Sequence, residues 1–236
     1  MNLIFKRETL APVAAMTFAS LVCGIVVIGR VLWTGNIRYS FLVWNLFLAW
    51  LPLVFALIAR DNYREGEKPG WRFFGFSAAW LLFFPNAPYI FTDLVHLTSR
   101  FFSNFWVDLA VILSCAFTGL VLGFVSLYLM QSVVTRILGR VAGWLFVAGA
   151  AALCSFGIYL GRFLRLNSWD VLAKPAKLYA GVSGVATAHP HHFAFLVLFA
   201  TFFFIAYVML YALTHLPATV QMQPVAGNDT EPARPT

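Results

Sequence analysis

Long apolar runs alternate with short polar stretches along this chain. A transmembrane helix needs about 20 predominantly apolar residues, because the hydrocarbon core is about 30 Å thick and each helical residue rises about 1.5 Å. Six runs meet this requirement, and they cover residues 9–29, 39–59, 73–92, 109–135, 141–161 and 193–213. The pattern predicts an all-α, polytopic membrane helix bundle of about six transmembrane helices, in one domain over residues 1–216.

Both ends of the chain need a separate interpretation. Lys6 and Arg7 precede the first apolar run, as they would in a signal peptide. That run is too long for a signal peptide, and no small-x-small cleavage site follows it, so we expect an uncleaved first span. Residues 217–236 are rich in Pro, Gly and polar residues, which predicts a disordered tail.

Composition supports a membrane location. The chain is 61% hydrophobic and 11% charged, with a net charge of +7. Its basic residues lie mostly at the edges of the apolar runs, where lipid head groups would sit, so the lipid bilayer is the predicted partner and nucleic acid is not. A small excess of Lys and Arg favours a cytoplasmic location for both termini. Cys23, Cys115 and Cys154 are predicted to be buried free thiols, and no cofactor is predicted.

The third apolar run contains two helix-breaking residues, Pro85 and Pro88. Proline removes a backbone donor and clashes with the carbonyl group one turn earlier. In lipid, such a break is tolerated only where the freed backbone groups face protein or water. The third helix is therefore predicted to be broken, either at a functional site or at a buried packing point.

Six spans bring most of the polar side chains capable of chemistry to one membrane face. The end of span three, the start of span four, the end of span five and the start of span six lie on one side, whichever way the protein is inserted. The polar residues at these positions are Asp93, His96, Arg100, Asp108, Arg162, Arg165, Asn167, Asp170, His189, His191 and His192.

Asp93 and His96 are the candidate catalytic residues. If a helix restarts after Pro88, these two residues and Arg100 form one polar stripe. The stripe suits an acid/base pair or two ligands of a metal, but zinc takes three or four ligands, so no metal site is predicted. The alternative is structural, with Thr92 or Asp93 capping the new helix.

Arg162 and Arg165 lie one turn apart at the end of the fifth span. Arginine side chains suit phosphate and carboxylate groups, which favours an anionic lipid or a phosphorylated substrate. The alternatives are contact with lipid head groups, or an ion pair with Asp93 or Asp170. Asn167 and Asp170 also fit a variant of the capping box.

Small residues four apart occur in spans four and five. Gly119 and Gly123 lie in the fourth span, and Gly157 and Gly161 in the fifth. Such pairs let helix backbones approach closely, so these two spans are predicted to pack together.

Three blocks of the sequence carry a resemblance to a known family: WNLFLAWLPLVFAL (44–57), LFFPNAPYIFTDLVHL (82–97) and GIYLGRFLRLNSWD (157–170). In these blocks the chain resembles the bacterial integral-membrane family catalogued as domain of unknown function 1361. The resemblance covers about residues 40–210 and implies a multi-pass protein of the bacterial cytoplasmic membrane, with no established activity. Leu166 departs from the aromatic residue expected there. The resemblance falls on Pro85, Asn86, Pro88, Tyr89, Thr92, Asp93, His96, Arg162, Arg165, Asn167, Trp169 and Asp170.

Three functional hypotheses follow. The first is a membrane enzyme acting on a lipid-linked or phosphorylated substrate, with Asp93 and His96 transferring protons. The second is a transporter or channel for a small solute, using the broken third span. The third is an assembly protein in which the polar cluster holds helices together. The oligomeric state stays open. In the enzyme hypothesis, the substrate is bound by Asn86, Tyr89, Arg162, Arg165, Asn167 and Asp170.

Overall fold

A computed structural model describes residues 7–35, 37–63, 69–98, 104–166, 170–173, 175–176, 179 and 190–215. The predicted all-α class is confirmed, and the predicted tail at 217–236 lies outside the described residues. The helices are α1 (Arg7–Thr34), α2 (Ser40–Asp61), α3 (Trp71–Phe83), α4 (Asn86–Tyr89), α5 (Phe105–Leu138), α6 (Arg140–Phe163), α7 (Asp170–Ala173) and α8 (Pro190–Thr214). Two 3-10 helices, Ile37–Tyr39 and Ile90–Thr98, precede α2 and follow α4.

Five of the helices in the described part of the chain are long and apolar enough to cross a membrane: α1, α2, α5, α6 and α8. They correspond to the first, second, fourth, fifth and sixth predicted spans. The remaining predicted span, residues 73–92, is broken as expected. It consists of the 13-residue helix α3, the single turn α4 and the start of the second 3-10 helix.

The broken segment nevertheless packs along most of α2. Contacts between the two segments occur in reverse order along the chain, so the segments are antiparallel. Because residues 45 and 63 are about 27 Å apart at 1.5 Å per residue, the broken segment covers most of the depth of the hydrocarbon core. The contacts are Tyr63 with Phe73, Phe55 with Phe83, and Asn45 with Asp93.

Helix α5 forms the centre of the bundle. It packs against α1, α2, α4, α6 and the second 3-10 helix, and 61% of its most apolar stretch is buried. Gly139 ends α5 with a φ of +92°, a backbone conformation that favours glycine, and α6 begins at the next residue. Helices α2 and α3 pack together, as do α6 and α8. The bundle therefore has two pairs of helices joined through α5.

Both glycine pairs hold the broken segment. A Cβ atom added to Gly119 would lie 2.7 Å from the carbonyl oxygen of Ala87, and one added to Gly157 would lie 2.5 Å from Pro85. Helices α5 and α6 pack together as predicted, but their glycines contact the third segment. The amide of Tyr89 donates to the carbonyl of Pro85 at 3.1 Å, so backbone bonding continues through the break. Ala87 and Pro88 are buried, so this side of the break is packed inside the bundle.

Polar contacts join the helix ends at one end of the bundle. Arg30 at the end of α1 bonds to Asp108 at the start of α5, and Arg162 at the end of α6 bonds to Asp93. The ring of His192, at the start of α8, lies 5.2 Å from that of Phe163. These contacts match the topological argument for one polar face. Arg100, Asn167 and His189, and the side chains of His96 and His191, lie outside the described part.

Candidate functional site

A cavity of about 630 Å³ lies between the pair α2/α3 and helix α6. It is bounded by the broken segment and by the residues that follow α6. Most of its wall is apolar and comes from Phe41, Trp44, Leu48, Ala78, Leu81, Leu82, Pro85, Leu153, Phe156, Gly157, Leu160, Gly161 and Leu166. Its polar side chains belong to Asn45, Asn86, Tyr89, Asp93, Arg162 and Asp170.

Among the described polar residues that line this cavity, Asp93 is the most buried. Its side chain is 3% exposed. Arg162 donates from Nη2 to Oδ1 at 2.8 Å, and Asn45 donates from Nδ2 to Oδ2 at 2.8 Å. The carboxylate therefore links α2, the second 3-10 helix and α6. These charge-assisted bonds hold its two oxygens in fixed directions.

Arg162 is held on three sides. Its Nε and Nη2 atoms donate to Oγ1 of Thr92 at 3.1 and 2.7 Å, and the Thr92 hydroxyl donates to the carbonyl of Tyr89 at 2.7 Å. The guanidinium carbon lies 5.0 Å from the centre of the Tyr89 ring, within range of a cation–π interaction. The side chain remains 20% exposed and lines the cavity. The ion pair with Asp93, one of the alternatives for Arg162, is present.

Charge in the described lining is not predominantly positive. Asp93 and Asp170 are acidic and Arg162 is basic. Asp170 begins the short helix α7 and is 4% exposed. The described part of the lining therefore carries no excess of positive charge. No group of three or more His, Cys, Asp or Glu side chains within the described ranges is placed to hold a metal ion.

A family model matches residues 44–208, which is more than half of the chain. The chain belongs to the family described as "Protein of unknown function (DUF1361)". No curated protein and no solved structure matches it. The DUF1361 stretch begins at Trp44 and contains all six of the described polar residues that line the cavity.

The predicted site residues of this DUF1361 protein are only partly brought together. Arg165 does not line the cavity, and its side chain is exposed. It lies two residues beyond the end of α6, in the left-handed region with a φ of +52°, next to a bond from the amide of Leu166 to the carbonyl of Leu160. Asn167 and the side chain of His96 lie outside the described residues. Those that line the cavity are Asn86, Tyr89, Asp93, Arg162 and Asp170.

Sequence reasoning missed Asn45. Its signal was nevertheless present, because an amide inside an apolar span is costly unless it is bonded and therefore marks a contact. What the sequence could not show was the partner, since Asn45 and Asp93 are far apart along the chain and meet only through helix packing.

A second polar cluster lies at the same end of the bundle but does not line the cavity. Asp108 accepts bonds at Oδ1 from Arg30 Nε at 2.8 Å and from the Tyr39 hydroxyl at 2.7 Å. The Arg30 and Asp108 side chains are 5% and 0% exposed. Arg30 and Tyr39 precede the DUF1361 stretch. The contacts of this cluster join α1, α2 and α5, so its described role is to fix helix ends.

Proposed function

We propose that this protein is a membrane enzyme that acts on the head group of a lipid-linked substrate. One observation carries the proposal: a buried carboxylate and an arginine, Asp93 and Arg162, face a mainly apolar cavity inside a membrane bundle. Ligand sites are typically apolar cavities of this size with a few directed polar groups. The apolar wall favours a lipid-linked substrate over a soluble phosphorylated one.

The two residues have different roles in this proposal. Asp93 accepts a proton from a reacting hydroxyl group or orients it, as carboxylates do in general acid–base catalysis. Arg162, held by Thr92 and Asp93, stabilises negative charge that develops on the substrate, because a fixed donor needs no reorganisation during the reaction. Residue 96 lies three positions beyond Asp93 in a 3-10 helix, which has three residues per turn, so His96 stays a candidate partner in proton transfer.

Lipid conversion by the purified protein tests this proposal. Wild type, Asp93→Asn and the control Asp61→Asn, which changes an acid at the opposite end of α2, are reconstituted with a total membrane-lipid extract and a soluble metabolite fraction. Lipid species are followed by mass spectrometry. We expect conversion by wild type and by the control, and none by Asp93→Asn, at a temperature at which all three proteins remain folded. Absence of any time-dependent change with wild type contradicts the proposal.

Two observations favour other functions. The proline break borders the cavity, as it would in a transporter, and solute flux into vesicles containing the protein tests that alternative. Contacts of Asp93 also tie three elements together, as they would in an assembly protein. A parallel loss of membrane abundance and function in Asp93→Asn would favour the assembly role.

We also infer that both termini face the cytoplasm of a bacterial cell. The small excess of Lys and Arg on the segments at the end of the bundle opposite the cavity supports this orientation. The cavity would then open toward the outer face of the cytoplasmic membrane. We expect a green fluorescent protein fused to the C-terminus to be fluorescent. An alkaline phosphatase fused at the same position should be inactive. The reverse pattern refutes the orientation.

A further inference from the structure

The cavity extends over about half of the membrane thickness. On α6, its lining runs from Leu153 to Arg162, which is about 13 Å at 1.5 Å per residue. Leu153 lies near the middle of α6 (Arg140–Phe163), and Arg162 lies at its polar end. Half of a hydrocarbon core is about 15 Å. The cavity therefore has the depth of one leaflet.

The cavity opens sideways at its apolar rim. Trp44, Leu81 and Leu153 line it and are 54%, 38% and 51% exposed. They belong to α2, α3 and α6, so the rim lies between the two helix pairs. In a membrane span, a side chain exposed in this way meets acyl chains. The apolar rim therefore connects the cavity with the surrounding lipid, whereas Asp93 at the polar end is buried.

We infer that this cavity binds one lipid from the leaflet at the polar end of the bundle. The hydrocarbon chain lies between α2/α3 and α6, and the head group contacts Asn86, Tyr89 and the Asp93–Arg162 pair. The lipid enters sideways from the bilayer. This inference deepens the proposed function, because it states where the lipid-linked substrate sits and from which direction it arrives.

The polar lining selects a head group with several hydroxyl groups, such as a sugar. Carboxylates accept hydrogen bonds, and asparagine amides both donate and accept, so together they match hydroxyl groups. A phosphomonoester carries nearly two negative charges and offers mainly acceptor oxygens, so it would have to compete with Asp93 and Thr92 for the donors of Arg162. The ligand class is therefore a glycosylated lipid rather than a phosphatidic acid.

Competitive lipid retention tests the inference. The full-length protein is placed in phosphatidylcholine nanodiscs containing equal small amounts of diglucosyl diacylglycerol and phosphatidic acid. It is then transferred to detergent, and retained lipid is counted by native mass spectrometry. We expect one retained lipid per protein, enriched in diglucosyl diacylglycerol. Preferential retention of phosphatidic acid would overturn the head-group class, and retention of phosphatidylcholine in proportion to its abundance would overturn the site.

Matched variants locate the retained lipid. Leu153→Trp and Ala78→Trp place a large ring in the cavity, and we expect each to lower retention about tenfold. Their controls, Leu145→Trp and Ala152→Trp, change exposed residues of α6 that do not line the cavity, and retention should be unchanged. Equal effects of both members of a pair would refute the location. Two independent cavity variants are used so that misfolding of one does not decide the result.

The same experiment separates this inference from the proposed enzyme activity. If selective retention is lost in the cavity variants but wild type converts no lipid, the result supports the lipid site and contradicts the enzyme activity. If lipid conversion persists in Leu153→Trp and Ala78→Trp, the result supports the enzyme activity and contradicts lipid binding at this site.

Discussion

Asp93 and Asp108 lie at the same end of the bundle, and the same substitution should affect them in opposite ways. Asp108→Asn is expected to lower stability strongly, whereas Asp93→Asn is expected to abolish function. Asp108 and Arg30 are 0% and 5% exposed, so Arg30 would keep a buried charge without a counter-ion. Asp93 is as buried, but its partner Arg162 is 20% exposed at the cavity, where water can solvate it.

The magnitudes follow from these exposures. Breaking a buried ion pair by removing one charge costs about 3–5 kcal/mol. Losing a bond to a charged group that can be rehydrated costs about 1–2 kcal/mol. For a domain of this size, 1 kcal/mol corresponds to about 2–4 °C in Tm, so the expected decreases are about 6–20 °C for Asp108→Asn and about 2–8 °C for Asp93→Asn.

The assay uses the three buried cysteines, Cys23, Cys115 and Cys154. A maleimide dye that fluoresces on reaction with thiols reports their exposure as the detergent-solubilised protein is heated. Glycolipid retention is measured on the same samples below the transition. Arg30→Met combined with Asp108→Leu should recover most of the lost stability, because replacing both charges removes the unpaired one. A Tm decrease for Asp93→Asn as large as that for Asp108→Asn, or unchanged retention in Asp93→Asn, would refute the reasoning.

Two further substitutions test the packing of the site. Gly119→Ala should lower stability by about 1–3 kcal/mol, because its Cβ would lie 2.7 Å from the Ala87 carbonyl oxygen. The control Gly149→Ala should not lower stability, because its Cβ would meet open space. Thermal unfolding of the two variants measures the difference. Arg165→Gly should raise stability by about 1 kcal/mol, because glycine adopts the left-handed conformation at a helix end without strain. It should leave glycolipid retention unchanged, since Arg165 does not line the cavity, and a loss of retention would restore the anion-binding role predicted from the sequence.

Hydrophobic run lengths were sufficient to predict the bundle. Charged residues cannot lie cheaply in lipid, so the positions of Arg30, Arg60 and Arg162 nearly mark the helix ends. Proline chemistry likewise predicted the break at Pro85 and Pro88. The form of the restart was not predictable, because a 3-10 helix instead of an α-helix depends on packing against α5.

Which residues contact each other was harder to predict than where each residue lies along the bundle. The parity of six spans placed Asp93 and Arg162 at one face, but the number of spans does not say which helices are neighbours. The glycine pairs illustrate this limit, because a small-residue face predicts close approach without naming what approaches. In the structure the approaching group is the proline-broken segment, at Ala87 and Pro85, in addition to the neighbouring helix.

A lipid that occupies this cavity, as we infer, needs both a hydrocarbon chain at the sideways opening and a polar head group at the buried ion pair. The part of the Arg162 guanidinium that Thr92 and Asp93 leave exposed to the cavity needs water or hydrogen-bond acceptors around it. If acyl chains alone filled the cavity from its open rim at Trp44 and Leu153, that part would lose its water without gaining hydrogen bonds, which is strongly unfavourable. An amphiphile avoids this cost, because its chain fills the apolar rim while its hydroxyl groups replace water at the ion pair. If the cavity binds a lipid as we infer, it therefore selects against the bulk of the bilayer and in favour of a lipid whose head group can enter the protein.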